Sequence, residues 1–173
     1  IGFGVLTFAY LIISKIRTPY GRHSSKGWGF MINNTWAWFW MEFPALVVMP
    51  VLSLIGPNEL NPFSILLVSI WFIHYFNRVI VFPLRIKTKG KKMPISIALS
   101  EFFFNIFNGF FNGYYVGFIM DQGSIYNYNI LIGLIIFICG MMINISSDNT
   151  LISLRKNSEG YKIPHGNFLN FVS

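Results

Sequence analysis

Long apolar stretches separated by short polar connections dominate this sequence. There are five of them: Gly2 to Ser14, Trp36 to Ile55, Phe63 to Leu84, Ile95 to Met120, and Tyr128 to Ile145. All but the first approach or exceed the roughly 20 residues with which a helix crosses about 30 Å of hydrocarbon. With 54% hydrophobic and only 11% charged residues, the 173-residue chain has too few charges to cover a soluble globule. The sequence therefore predicts an all-α polytopic membrane protein in which residues 1–173 form a single transmembrane domain.

The charged residues between these stretches are segregated by sign. Lys and Arg follow the first, third and fifth stretches, whereas the connections 56–62 and 121–127 contain Glu59 and Asp121 and neither Lys nor Arg. Because short cytosolic loops carry the excess of Lys and Arg, the odd-numbered helices are predicted to end on the cytosolic side. Helix orientation thus accounts for the net charge of +7, and no nucleic-acid partner is predicted.

Two further classes of site are excluded by what the sequence contains. Cys139 is the lone cysteine, so neither a disulfide framework nor a cysteine-based metal site is expected, and no metal is predicted. The sequence contains no GxGxxG motif, and this excludes a Rossmann domain within these residues.

Glu42 is a carboxyl group within the second apolar stretch, among several aromatic residues. Ionisable groups inside a membrane are costly, and each is a functional hypothesis by default. Burial favours the neutral acid, which can donate a hydrogen bond or a proton to a substrate oxygen. A carboxyl paired to a neighbouring helix, or one at the interface, is an equally good interpretation, and spacing alone does not decide between them.

Three polar residues, His74, Tyr75 and Arg78, interrupt the third stretch. Arg78 is four positions after His74 and three after Tyr75, so the three line adjacent parts of one helix surface. The Tyr75 phenol could polarise a carbonyl group, and Arg78 could hold an anion. The alternatives are that Tyr75 serves packing and that Arg78 only orients the helix at the cytosolic face.

A polar stripe and a glycine series run along the fourth stretch. Glu101, Asn105, Asn108 and Asn112 fall at offsets of 0, 4, 7 and 11, so they line one face that must contact other helices or a wet cavity. The stripe is equally consistent with interhelical hydrogen bonding and with the wall of a cofactor site. The glycines form a GxxxGxxxG series that predicts close approach of another helix: Gly109, Gly113 and Gly117.

The fifth stretch ends on polar residues. If its helix continues, Asn144, Asp148 and Arg155 share a face. Amide and carboxylate groups suit carboxamide or ribose hydroxyls, and a guanidinium suits phosphate. A simple charge pair with Arg155 as an orientation signal remains the alternative.

The sequence resembles the steroid 5α-reductase family over most of its length. The family elements occur here in order and with matching spacing, as Tyr20-Gly21-Arg22-His23, Ala37-Trp38-Phe39 with Glu42-Phe43-Pro44, His74-Tyr75-Phe76 with Arg78, Asn108-Gly109 with Gly113-Tyr114-Tyr115, Gly140-Met141-Met142-Ile143-Asn144 with Ser147-Asp148, Leu154-Arg155-Lys156, and Gly160-Tyr161-Lys162-Ile163-Pro164-His165-Gly166. Each motif alone would be weak, but their order makes coincidence implausible.

The resemblance implies an NADPH-dependent enzyme of the endoplasmic-reticulum membrane with seven helices, five of them in these residues. Such enzymes reduce the C4–C5 double bond of a 3-oxo-Δ4 steroid, and acid groups hold the 3-oxo oxygen. It also implies membrane lipid as surroundings, a cytosolic cofactor-binding segment at 145–173, and no particular protein partner.

The resemblance also implies roles for individual residues, carried over by position. Glu42 and Tyr75 would be the catalytic acid groups, and Trp38 would lie against the steroid. The cofactor-binding residues would be Asn144, Asp148, Arg155 and Tyr161, with Arg22, Arg78, Lys89 and Lys91 as further phosphate or entrance residues.

Some positions depart from the family pattern. Asn157-Ser158 stands where many members have Pro-Gly, Ile152 replaces a common Arg, and Asn167 replaces a Gly. The chain starts without Met and stops at Ser173, before the last two family helices, so we expect it to be truncated at both ends and inactive by itself.

Two other classes of function remain open, together with a choice within the family. A transporter or channel could be lined by Glu42, Arg78 and the Asn stripe, and a non-catalytic paralogue would keep the fold without turnover. Within the family, the YGRH and HYF elements favour the steroid branch over polyprenol and enoyl-CoA reductases.

Overall fold

A computed structural model describes residues 10, 13, 29–86, 88, 90–120 and 128–156, with the backbone alone described for 155 and 156. The elements, in chain order, are β1 (Met31–Asn33), α1 (Asn34–Ile55), α2 (Pro62–Phe76), a π-helical turn (Asn77–Val81), α3 (Phe82–Arg85), β2 (Lys92–Pro94), α4 (Ile95–Tyr114), a second π-helical turn (Tyr115–Ile119) and α5 (Tyr128–Lys156). The prediction of an all-α membrane protein is confirmed.

Four of the five apolar stretches correspond to helices of this structure, and of the first stretch only Tyr10 and Ile13 are among the described residues. Three helical segments are long and apolar enough to cross a membrane: Asn34–Ile55, Pro62–Arg85 and Tyr128–Leu154. The remaining helix, α4, carries the polar stripe. α5 continues beyond Ile145 to Lys156, as the shared face of Asn144 and Asp148 requires.

The closest helix contact joins α1 to α4 and the turn that follows α4. A Cβ atom added at Gly113 would lie 2.6 Å from the carbonyl oxygen and 2.9 Å from the Cα of Met49. One added at Gly109 would lie 3.0 Å from Cβ of Val48, and one at Gly117 would collide with the carbonyl oxygen of Leu52. The glycine series is therefore a packing surface, as predicted, because only a residue without a side chain permits this backbone approach.

A short antiparallel strand pair, absent from the sequence predictions, ties the starts of α1 and α4 together. Met31 pairs with Pro94, Ile32 with Met93, and Asn33 with Lys92. The Asn33 side chain then caps α1 by accepting hydrogen bonds from the backbone N–H groups of Thr35 and Trp36. The pair fixes the register in which α4 lies along α1.

Side chains of neighbouring helices satisfy backbone carbonyls of α1 next to its internal Pro44. Asn105, which is 2% exposed, donates from Nδ2 to the carbonyl of Met41 at 2.8 Å. Trp71 donates from Nε1 to the carbonyl of Ala45 at 2.8 Å. These two hydrogen bonds join α4 and α2 to α1 on either side of Pro44.

The first π-helical turn follows from the proline in α3. Pro83 has no N–H to offer the carbonyl of Val79, and the backbone N–H of Phe82 bonds instead to the carbonyl of Asn77, five residues earlier. The wider turn contains Arg78, so it sets the direction of that side chain.

Candidate active site

Arg78 is the centre of a polar cluster inside the helix bundle. Its Nη2 and Nε donate to Oε1 of Glu42 on α1, at 2.6 and 3.1 Å. Its Nη1 lies 3.9 Å from Oδ2 of Asp148 on α5. Glu42 is 6% exposed and Asp148 is 8% exposed, so one cation links two buried carboxyl groups from different helices. We refer to Trp38, Glu42, Arg78, Phe82 and Asp148 as the Arg78 cluster.

Two aromatic rings complete this cluster. The guanidinium carbon of Arg78 lies 4.7 Å from the ring centroid of Trp38 and 5.4 Å from that of Phe82. The two rings meet edge to face, with their centroids 5.0 Å apart. Contact with ring faces and with a carboxylate keeps the guanidinium inside the bundle instead of at the aqueous surface.

The sequence allowed more than one interpretation of Glu42. In the structure, Glu42 is paired with Arg78 of a neighbouring helical segment. A carboxylate in a salt bridge accepts hydrogen bonds and has none to donate. Removing one partner of such a pair leaves an uncompensated charge, so the pair constrains how Arg78 and Glu42 can move. A role for Glu42 in catalysis stays a prediction.

Two oxygens of α5 are buried without a hydrogen-bond partner among the described residues. They are Oδ1 of Asn144 and Oδ2 of Asp148, one helical turn apart. A buried acceptor without a donor is costly, so these two atoms indicate a missing donor. Both oxygens can accept from an amide N–H or a hydroxyl group.

Tyr75, on α2, is held by the Asn stripe of α4. Nδ2 of Asn108 donates to the Tyr75 hydroxyl oxygen at 2.9 Å. Tyr75 precedes Arg78 by three residues in the helical segment Pro62–Arg85, so the two lie about one helical turn apart. His74 meets the Tyr75 ring edge to face, with centroids 5.1 Å apart.

Two members of the polar stripe on α4, Asn105 and Asn108, have partners of different kinds. Asn105 bonds the backbone of α1, which is interhelical hydrogen bonding, whereas Asn108 bonds a candidate catalytic side chain. The sequence left these interpretations equal because it places every member of the stripe on the same face.

The structure brings together four of the eleven site residues selected from the sequence. Trp38, Glu42, Arg78 and Asp148 lie in the Arg78 cluster, and Trp38 contacts the guanidinium and Phe82. Lys91 is exposed immediately before β2 and is not a member of the cluster. Arg22, Lys89, Tyr161 and the side chain of Arg155 lie outside the described residues.

Two contributors were missed by the sequence analysis. Phe82 lies four residues after Arg78, and this spacing on one helix face could have indicated it. Arg85 donates from Nη2 to Oδ1 of Asn149, which joins the end of α3 to α5 beside Asp148. No local pattern links residues so far apart in sequence.

Comparison with known proteins identifies the family of this chain. The family described as 3-oxo-5-alpha-steroid 4-dehydrogenase matches residues 91–173. The chain is 35% identical to the steroid 5-alpha-reductase of Solanum lycopersicum over 98% of this chain and 68% of that protein. The chain belongs to the 3-oxo-5-alpha-steroid 4-dehydrogenase family. This confirms the family resemblance found in the sequence and makes the chain a member of an oxidoreductase family.

Other relatives of this family member come from plants and animals. It is 40% identical to the steroid 5-alpha-reductase of Arabidopsis thaliana, over 94% of this chain and 66% of that protein. It is 35% identical to the 3-oxo-5-alpha-steroid 4-dehydrogenase 1 of Bos taurus, over 95% of this chain and 66% of that protein. The chain therefore spans about two thirds of the length of the curated relatives it matches.

Proposed function

We propose that this protein reduces the C4–C5 double bond of a 3-oxo-Δ4 steroid, or of a related lipid enone, with NADPH as reductant. One observation carries the proposal: in a chain of this family, Arg78 links the buried carboxyl groups of Glu42 and Asp148, and Oδ1 of Asn144 and Oδ2 of Asp148 have no hydrogen-bond donor among the described residues. A steroid enone needs donors at its oxygen, and a nicotinamide cofactor needs acceptors for its amide and hydroxyl groups. The site contains groups of both kinds.

Tyr75 and Glu42 are proposed to polarise the 3-oxo group. When C5 accepts a hydride, negative charge develops on the 3-oxo oxygen, and positioned donors stabilise it before C4 is protonated. The Tyr75 hydroxyl is one donor. Glu42 becomes the second when it carries a proton and Arg78 turns toward Asp148, whose Oδ2 already lies 3.9 Å from Nη1. Trp38 is proposed to bind the flat face of the steroid.

The cofactor side of the site is assigned to α5 and the basic connections. The unpartnered Oδ1 of Asn144 and Oδ2 of Asp148 fit the N–H donors of a carboxamide and the hydroxyls of a ribose. Arg78, Arg155 and Tyr161, with Arg22, Lys89 and Lys91 at the entrance, are proposed to hold the rest of the molecule, since guanidinium and ammonium groups bind phosphate. Bound NADPH would supply the hydride that reduces C5.

The proposed location is the endoplasmic-reticulum membrane, with the cofactor side facing the cytosol. The charge pattern supports the orientation, since Lys and Arg follow the odd-numbered apolar stretches and are absent from the two remaining connections, and the endoplasmic reticulum is proposed from the family resemblance. Residues 145–173 are the proposed cytosolic cofactor-binding segment, of which α5 supplies the part up to Lys156. Membrane lipid would then surround the exposed apolar face of α5, as on Leu131, Ile135 and Ile136.

The test is NADPH oxidation by the full-length protein in nanodiscs, with a 3-oxo-Δ4 steroid added or omitted. We expect steroid-dependent oxidation and a 5α-reduced product. NADPH binding without oxidation would refute the steroid as substrate and direct the search to polyprenol-type and other lipid enones. A protein that binds no NADPH and conducts ions or solutes would refute the reductase and favour the channel interpretation.

The substitution Asp148→Asn should weaken NADPH binding about 10- to 100-fold, because a hydrogen bond to a charged acceptor contributes about 1.5–3 kcal/mol. Oδ2 has no hydrogen-bond donor among the described residues, and Nη1 of Arg78 lies 3.9 Å away, so this oxygen can accept from the cofactor. NADPH affinity can be measured by calorimetry on the purified full-length protein. The matched control is Asn149→Ala, whose side chain is exposed and bonds Arg85. Equal affinity of Asp148→Asn and wild type would contradict the assignment.

A further inference from the structure

Three side chains form a continuous hydrogen-bond chain that ends at Tyr75. Nδ2 of Asn112 donates to the backbone carbonyl of Asn108 at 2.8 Å and to Oδ1 of Asn108 at 3.2 Å. Nδ2 of Asn108 then donates to the hydroxyl oxygen of Tyr75 at 2.9 Å. Asn112 is exposed and Asn108 is half-buried, so the chain runs from the helix surface into the site. We refer to Asn112, Asn108 and Tyr75 as the amide relay.

The direction of the amide relay is fixed by one group that can only accept. A backbone carbonyl has no proton, so the Asn112 group facing it must be the amide N–H₂. The same N–H₂ reaches Oδ1 of Asn108, and this holds the Asn108 oxygen toward Asn112. The Asn108 amide can then present only its N–H₂ to Tyr75.

The direction of the amide relay determines where the Tyr75 hydroxyl can donate its hydrogen bond. An amide N–H₂ cannot accept, so the phenol oxygen must accept from Asn108, and its own hydrogen has to point to a different acceptor. Hydrogen bonds in a chain also polarise one another, so accepting from Asn108 makes Tyr75 a better donor.

We propose that Asn108 and Asn112 are positioning residues that keep the Tyr75 hydroxyl directed as a donor toward the substrate carbonyl oxygen. This inference rests on the proposed function, because it assigns the acceptor to the 3-oxo group of an enone. Without Asn112, the Asn108 amide can turn over and offer Oδ1 to Tyr75. The phenol would then donate to Asn108 and lose its orientation toward substrate.

The substitution Asn108→Asp tests the relay with almost no change in shape. An ionised carboxylate can only accept, so the Tyr75 hydroxyl would donate its hydrogen bond to the new carboxylate oxygen and the direction of the relay would be reversed. We expect kcat for steroid reduction by the full-length protein to fall about 30-fold, a part of the roughly 100- to 1,000-fold that one donor to a developing oxyanion contributes. NADPH affinity should stay within about twofold, since the relay does not include the cofactor residues. Ser100→Ala, an exposed position on the same helix, is the matched control and should leave kcat unchanged.

A second variant, Asn112→Ala, and a Tyr75→Phe background separate a role in positioning the Tyr75 hydroxyl from general damage to the fold. Asn112 is exposed, so Asn112→Ala should fold normally, and it should lower kcat about three- to tenfold through the network alone. In a Tyr75→Phe background, neither Asn108→Asp nor Asn112→Ala should lower kcat further, because there is no proton left to direct. A purely structural role would give the same loss in both backgrounds.

The outcomes of these experiments distinguish failure of the amide relay from failure of the proposed reductase function. If the wild-type protein reduces the steroid and both Asn variants keep its kcat, the relay is wrong while the function stands. Losses that persist in the Tyr75→Phe background also overturn the relay. If the wild-type protein binds NADPH but does not reduce the steroid, the proposed function fails first, and the relay has no reaction to serve.

Discussion

Tyr75→Phe is expected to lower kcat for enone reduction about 100- to 1,000-fold, the effect of removing one donor from a developing oxyanion. Phenylalanine keeps the ring that packs against Trp71, 4.7 Å away between centroids, so the helix contacts of α2 are retained. Only the hydroxyl that accepts from Asn108 is lost. The measurement is single-turnover NADPH oxidation by the full-length protein, which isolates chemistry from product release.

The control for this prediction is Tyr128→Phe, a tyrosine that is 83% exposed at the start of α5. It should leave kcat unchanged. NADPH affinity of Tyr75→Phe should also match the wild type, because the phenol is assigned to the substrate side. A loss of less than about tenfold in kcat would show that Tyr75 serves packing, the alternative that its position in an apolar helix also allows.

Gly113→Ala is expected to lower the free energy of unfolding by about 3 kcal/mol, at the upper end of what overpacking costs. The added methyl would lie 2.6 Å from the carbonyl oxygen of Met49 and 2.9 Å from its Cα. Both atoms belong to the backbone of α1, so relief requires the helices to separate instead of one side chain turning. The measurement is a denaturant or thermal unfolding curve of the protein in detergent.

Gly140→Ala is the control for Gly113→Ala, and it is expected to leave the free energy of unfolding unchanged or to raise it. Nothing lies within 4 Å of a Cβ atom at Gly140, which is within α5. Alanine there should be neutral or stabilising by about 0.5–1 kcal/mol, because glycine is the poorer helix former. Equal stability of the two variants would contradict the close packing of α1 on α4.

The helices were predictable because their signal is local. Apolar length alone located α1 and the span Pro62–Arg85 to within two residues at each end. The offset of four between Asn144 and Asp148 likewise put both on one face of α5 before any contact was known. Spacing of this kind depends only on helix geometry.

The partners of the polar groups were not predictable, because they lie on different helices. Glu42 and Arg78 are 36 positions apart, and Asn108 and Tyr75 are 33 positions apart. The sequence gives each group a helix face but not the rotation of one helix against another. For the same reason, the sequence did not decide whether the Asn stripe forms interhelical hydrogen bonds or lines a cofactor site.

The sequence by itself determined the class of protein, the ends of α1 and of the span Pro62–Arg85, the glycine face and the family, since each depends on composition or on the order of residues along one segment. Only the tertiary structure decided that Glu42 is paired with Arg78, that two oxygens of α5 have no donor among the described residues, and that Tyr75 accepts from Asn108. These facts depend on how α1, α2, α4 and α5 are turned toward one another. That rotation is set by the β1–β2 register, the glycine contact and the π-helical turn at Arg78, and none of these can be derived from one helix considered alone.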